Sequence, residues 1–237
     1  YQIIEDKIEE IVNYGRNGKG IPIVAATGNF PDGGDPYNSV LPCAGNTIMY
    51  PASNDYTISV GGCENDETGF YNFGPGLDIV APAIGIYTTT YPEFSNQSYY
   101  SYVDGTSMAA PIVSATIALM LSVNPDLTDS QIKEILYTST NKLPPMYNNL
   151  TTTEVTDYGV WDWSSGYGMV NTHAAVFEAA FYGIPLIISG PSEIGLCNET
   201  IISISEFDIP EWVDGINWIM GDNVMLIEKI SPFSIKV

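Results

Sequence analysis

The chain has 237 residues, 45% of them hydrophobic, which suits one medium domain, or one domain and part of another, with a real core, and excludes global disorder. Its 28 acidic and 7 basic residues leave a formal net charge of −21, which repels phosphate backbones and anionic membrane surfaces and argues against nucleic acid as a partner. An acidic surface is compatible with calcium sites or cationic substrates, and more commonly with nothing beyond the solubility of an exported protein. No run approaches the roughly 18 apolar residues of a membrane span; the longest, residues 113–123, is interrupted by serine and threonine, so a soluble chain without a span is expected.

Tyr1 opens directly onto a helical pattern with Ile4, Ile8, Ile11 and Val12 on one face, without a basic leader or a starting methionine, so the chain is expected to begin inside a domain. Gly15, Gly18 and Gly20 break that pattern, and IPIVAA (residues 21–26) follows as a short buried strand, half of an α/β unit. A polar loop rich in Gly and Pro runs from Phe30 to about Thr47. Further strands are predicted at residues 57–60, 77–81 and 84–89, each fenced by Gly, Pro or Asn.

Residues 107–122 read as a buried helix with Pro111 in its first turn, where a missing amide hydrogen costs little. Thr128 and Gln131 form a capping box for the next helix, ahead of Ile132, Ile135 and Leu136. Asn171 caps a fourth helix, which runs to about Tyr182 and stops at Gly183. From Ile184 the texture becomes β-rich: IPLIISG, TIISIS, INWIM and VMLIEKI have no helical period. About four strands are fewer than the roughly seven of a complete sandwich, so this second unit is expected to be partial.

Cys43, Cys63 and Cys197 are too few for a disulfide framework and lack metal-ligand spacing. Cys43 and Cys63 flank a short segment whose ends could meet, so a single staple and two unrelated buried thiols both fit; Cys197 has no evident mate.

The stretch DGTSMAAP, residues 104–111, sets Ser107 between a glycine turn and small residues at a helix start. A nucleophilic serine needs a base, ordinarily histidine, and the one histidine of the sequence is His173. Either His173 is that base, or the base lies outside the chain, or Ser107 only caps a helix. Other strings match in order: IPIVAATGN, YPASNDYTISVGG, NFGPGLDIVAPAIGIYTT, DGTSMAAP, NPDLTDSQIKEIL and GYGMVN. Together they closely resemble the second half of the catalytic domain of subtilisin-like serine proteases, over about residues 1–182.

The resemblance implies an α/β fold: an incomplete subtilisin-like doubly wound, mainly parallel sheet with helices on both faces over residues 1–183, followed by a partial all-β, sandwich-like segment over residues 184–237. It puts Ser107 in the nucleophile's place and Asn29 in the oxyanion hole. The family's aspartate and histidine come earlier in chain order. No DTG or DSG with a following HGT occurs here, so the resemblance implies that the missing N-terminal half of the domain carries both and that His173 is a surface residue of a helix end. Ile112 stands where the family commonly has a histidine that is no triad member.

Ala25, Ala26, Thr27 and Gly28 are implied to line one wall of the substrate pocket, with Met49, Tyr50 and Ala52 at its base and Met49 making it shallower. No cofactor is required for the chemistry. A structural calcium ion is compatible with this turn in the family, and Asp78 sits where relatives offer a carboxylate. The implied function is that of a fragment of a secreted or cell-surface endopeptidase acting on protein or peptide substrates. Its rivals are a binding protein that kept the fold and lost the chemistry, and an adhesion module, which leaves the GTS and TGN strings unexplained.

Overall fold

The computed structural model describes residues 2–29, 48–64, 67–68, 71–92, 98–143, 153–183, 188–189, 201–204, 228–231 and 234–236. Two compact units divide the chain, residues 1–179 and residues 180–237.

The first unit opens with α1 (Gln2–Gly18), in which Ile8 and Val12 are buried while Ile4 and Ile11 keep considerable exposure, so only half of the predicted apolar face is covered. Helical geometry ends at Gly15, and Arg16 and Asn17 take left-handed backbone angles. That reversal lets the Arg16 guanidinium donate to the carbonyls of Gly20, Leu127 and Pro125 at 3.2, 2.9 and 2.7 Å, fastening the exit of α1 to a segment more than a hundred residues away.

The sheet is built on β2 (Thr57–Glu64), which pairs in parallel with β1 (Ile23–Ala26) on one side and β4 (Ile79–Pro82) on the other, while the short β3 (Glu67–Thr68) turns back antiparallel on its end. Every residue of β2 except the last is buried, as expected of a parallel strand covered on both faces. The strand outruns its predicted end at Val60 because small residues, Gly61 and Gly62, continue the run and allow Tyr71 and Leu77 to pack closely over it.

Helix α2 (Thr106–Val123) lies against β1, β2 and β4, burying Thr106, Ala109, Val113, Thr116, Ile117 and Met120. Each large aliphatic side chain so covered contributes about 1.5–3 kcal/mol. By length and composition α2 would also suffice to cross a membrane, contrary to the shorter apolar run read from the sequence; its buried stripe against three strands is that of a core helix. Pro111 falls in the second turn, not the first, because the helix starts at Thr106 with Gly105 as its N-cap.

Helix α3 (Asp129–Thr138) has the predicted capping box, with Gln131 N–H donating to Thr128 Oγ1 at 3.3 Å and Thr128 N–H to Gln131 Oε1 at 2.8 Å. Helix α4 (Thr172–Phe181) starts with Ala174 N–H donating to Asn171 Oδ1 at 3.0 Å.

Two antiparallel hairpins complete the unit. β5 (Ile86–Thr89) pairs with β6 (Tyr100–Val103), and β7 (Thr153–Thr156) with β8 (Gly159–Asp162). The residues of the second unit that are described form a four-stranded antiparallel sheet in the order β11–β12–β10–β9, from β9 (Ile188–Ser189), β10 (Ile201–Ile204), β11 (Glu228–Ser231) and β12 (Ser234–Lys236). The predicted INWIM strand lies outside the described residues.

Cys63 is a fully buried free thiol, packed with Ala25, Ile48, Ala52, Leu77 and Val80, and burial pushes its pKa up to about 12. It behaves as a small hydrophobe and not as half of a staple; Cys43 and Cys197 lie outside the described residues.

Candidate active site

Gly105, with φ 136° and ψ 157°, turns the chain out of β6 into α2, a conformation open to glycine and strained for other residues. Its N–H donates to Ala83 O at 2.7 Å, which anchors the turn to the end of β4. The next two residues are the first of the helix, where backbone N–H groups have no intrahelical acceptor. Thr106 N–H is used by Asn29, and Ser107 N–H remains available among the described residues.

Asn29 is presented by the chain leaving β1. Its Oδ1 accepts from both Thr106 N–H, at 2.8 Å, and Thr106 Oγ1–H, at 2.9 Å. The hydroxyl of Thr106, fully buried, also accepts from Gly28 N–H at 3.2 Å. With its oxygen held twice, the Asn29 amide can offer only Nδ2 as a donor, and that nitrogen has no partner among the described residues. The approach is close: a Cβ on Gly105 would lie 3.1 Å from Asn29 Nδ2. Two uncommitted N–H groups, one from the Asn29 side chain and one from the Ser107 backbone at a positive helix end, are thereby brought together. Such a pair suits an oxygen that gains negative charge.

Ser107 itself is exposed at the start of α2, and its hydroxyl has no hydrogen-bond partner among the described residues. His173 is elsewhere. It is exposed on α4, stacked on Phe177 with ring centroids 6.5 Å apart, and its neighbour Thr172 bonds Thr116 Oγ1 at 2.7 Å. Thr116 is nine residues along α2 from Ser107, roughly 13 Å at 1.5 Å per residue.

Of the residues implied to bind substrate, Thr27 and Gly28 meet Met49 and Asn72: Met49 N–H donates to Thr27 O at 3.0 Å and Asn72 N–H to Gly28 O at 3.1 Å. Met49 is 57% exposed and Tyr50 partly so, and Ala26 and Gly28 are half-buried. Ala25 and Ala52 are core side chains, in the same cluster as Cys63 and Leu77, so they support the wall from behind. Thr106 and Asn72 were not singled out as site residues from the sequence. The signal for Thr106 was present in the GTS triplet, where a hydroxyl directly precedes the serine that the resemblance singles out; Asn72 carried none.

Asp78 faces inward. Its carboxylate accepts from Ser59 N–H at 2.7 Å and Ser59 Oγ at 3.2 Å, and from Tyr137. Although the residue keeps some surface, its carboxyl group is enclosed by protein, and that burial raises its pKa to about 6 against the hydrogen bonds and the distant Lys133, which act the other way. Burial, with Asp78 beside it, drives the Tyr137 phenol upward in turn. These donors occupy the carboxylate that a cation would need, and among the described residues no three His, Cys, Asp or Glu side chains gather to hold a metal. Asp78 therefore does not fit the calcium role implied for it.

A model of the subtilase family matches residues 2–169. Subtilisin DY of Bacillus licheniformis is 36% identical over 126 residues, which cover 52% of this chain and 41% of that protein. The cell wall-associated protease of Bacillus subtilis (strain 168) is 32% identical over 146 residues, 56% of this chain and 16% of that protein. The chain thus spans less than half the length of these relatives. A serine protease of Aeromonas sobria superposes with a TM-score of 0.57 at 14% identity, covering 86% of this chain and 43% of that one, a likeness of fold. The family match takes in β1, β2, β4 and α2, the elements that carry Asn29 and Ser107, and by that match this chain is a member of the subtilase family.

Proposed function

We propose that this chain contributes the nucleophile and the oxyanion hole of a serine endopeptidase. Ser107 Oγ attacks the carbonyl carbon of a peptide bond while a histidine takes its proton. The resulting oxyanion is held by Ser107 N–H and Asn29 Nδ2. The carbon–nitrogen bond then breaks, the histidine returns the proton to the leaving amine, and water releases the acyl group from Ser107 by the same steps. The histidine and its orienting aspartate come from polypeptide other than these 237 residues, since the one histidine of the sequence, His173, follows a threonine that bonds α2 at Thr116, nine residues along that helix from Ser107. The chemistry uses side chains and backbone alone, its substrates are proteins or peptides, and its place of action is outside the cell or at its surface. The cell wall-associated relative supports that location. In this reading residues 1–183 belong to the peptidase domain and residues 184–237 to a β-rich one.

The observation that carries the reading is the double hold of Thr106 on Asn29 Oδ1, which leaves Nδ2 as a preset donor. In the full-length protein, rapid stoichiometric labelling of Ser107 by a fluorophosphonate is expected, with peptide hydrolysis abolished by Ser107→Ala. Asn29→Leu should leave a residual activity lower on the order of a hundredfold to a thousandfold, a figure known for a bacterial subtilisin. Unchanged turnover in Asn29→Leu would refute the oxyanion assignment, and an unreactive Ser107 would point to a fold retained for binding.

A further inference from the structure

The outer face of the β5–β6 hairpin is paved with tyrosine. Side chains alternate along both strands, placing Tyr87, Tyr100 and Tyr102 outward at 61%, 53% and 71% exposure. Tyr87 lies opposite Tyr102 in the register and touches both others, with centroids 5.0 Å from Tyr102 and 5.8 Å from Tyr100, the latter stacked at 21°. The Tyr87–Tyr102 pair steadies the hairpin as cross-strand aromatic pairs do, and three contiguous exposed rings also present an aromatic face to ligands.

This hairpin leads straight into the site. Tyr102 precedes Ser107 by five residues, at most about 17 Å of chain. Asp104, between them, accepts from Gly85 N–H at 2.7 Å, which closes the base of the hairpin.

The chain that carries this face is strongly acidic, with a formal net charge of −21, and the exposed Asp104 stands at the base of the hairpin itself. Between Lys19 and Lys133 the sequence contains no lysine or arginine, while eleven acidic residues occur from Asp32 to Asp129. That stretch holds β1 to β6, Asn29 and Ser107. Asp55, Glu64 and Asp104 within it are exposed. A field of that sign gathers cations, and tyrosine ring faces bind ammonium and guanidinium groups after arrival.

We propose that the tyrosine face of β5–β6 docks a lysine- or arginine-bearing segment of the polypeptide substrate. The proposal rests on the peptidase reading for calling that polypeptide a substrate. Oligosaccharides also stack on aromatic rings, but a neutral ligand gains no long-range attraction from a chain of net charge −21, which is why a cationic peptide is the favoured occupant.

The test uses the full-length protein carrying Ser107→Ala, so that bound peptide is not cut. A lysine/arginine peptide, an uncharged peptide of equal length, an acidic peptide and an oligosaccharide are titrated by calorimetry at low and at physiological salt. The basic peptide is expected to bind tightest and to weaken with salt. It should weaken by about tenfold or more when Tyr87, Tyr100 and Tyr102 are all changed to leucine, the combined effect of three exposed ring–cation contacts. Changing the same three to phenylalanine keeps the ring faces and should keep the affinity, and it serves as the folded control if the leucine variant is damaged. Equal affinity in the leucine variant, lost affinity in a folded phenylalanine variant, or tighter binding of any other ligand overturns the proposal. Tyrosine-dependent binding by a protein whose unmutated form has no turnover would overturn the peptidase reading and support the docking face. Turnover with tyrosine-independent binding would do the reverse.

Discussion

Replacing Asp78 by asparagine separates the shape of its site from its charge. The native carboxyl has a pKa of about 6 against an ordinary 3.8, chiefly because it is enclosed by protein. In the pH range between those values the unfolded chain has already released the proton that the folded chain still holds, so stability falls as pH rises. The cost is absent below the ordinary value and complete above about pH 6. Two pH units at 1.36 kcal/mol each make it about 3 kcal/mol, of which about 2 kcal/mol develops between pH 4.5 and 7.5. Asparagine keeps an acceptor for Ser59 N–H and cannot ionise. Chemical denaturation of both proteins across this range should show native stability falling relative to the variant by about 2 kcal/mol. Parallel curves would refute the reasoning, because the carboxyl would then be solvated or better paired than its setting at Ser59 and Tyr137 implies.

Thr106→Val removes the hydroxyl that binds both Asn29 Oδ1 and Gly28 N–H. At about 1 kcal/mol for a neutral hydrogen bond, kcat should fall roughly fivefold with KM unchanged, and Thr106→Ser should restore it; a change confined to KM would count against a positioning role. Gly166→Ala should lower stability by at least about 2 kcal/mol, measurable as a drop in Tm. Gly166 has φ 58°, and a Cβ there would lie 2.3 Å from Asp78 O and 2.5 Å from its carbonyl carbon, backbone atoms that cannot move aside as a side chain would. An unchanged Tm would mean that the 166–168 turn is not seated on Asp78.

Several elements were legible because their causes are local. The Thr128–Gln131 capping box, the Asn171 cap and the glycine break after α1 are arguments among residues a few positions apart, and each appears where expected. The resemblance to the family was legible in short ordered strings, TGN and DGTSMAAP among them, and the family match over residues 2–169 bears it out. Strands were less legible where they are exposed and polar. β6 reads YSYV and β7 TEVT, and neither shows an apolar run, because a hairpin half open to water needs none.

The amino-acid sequence by itself determined the α/β class over most of the chain, the helix ends, and the identity of Ser107 and Asn29 as the residues to examine. Only the tertiary structure decided what those residues and their neighbours touch. Thr106, 77 positions from Asn29, turns out to hold its amide, and Asp78 spends its carboxylate on Ser59 and Tyr137. Cys63 fills a core between strands as a free thiol, and three tyrosines from two strands form one surface. Caps and turns follow from neighbours along the chain, whereas a partner for a carboxylate, an amide or an aromatic ring is whichever group the closed sheet and its helices bring within a few ångströms, and no local pattern encodes that.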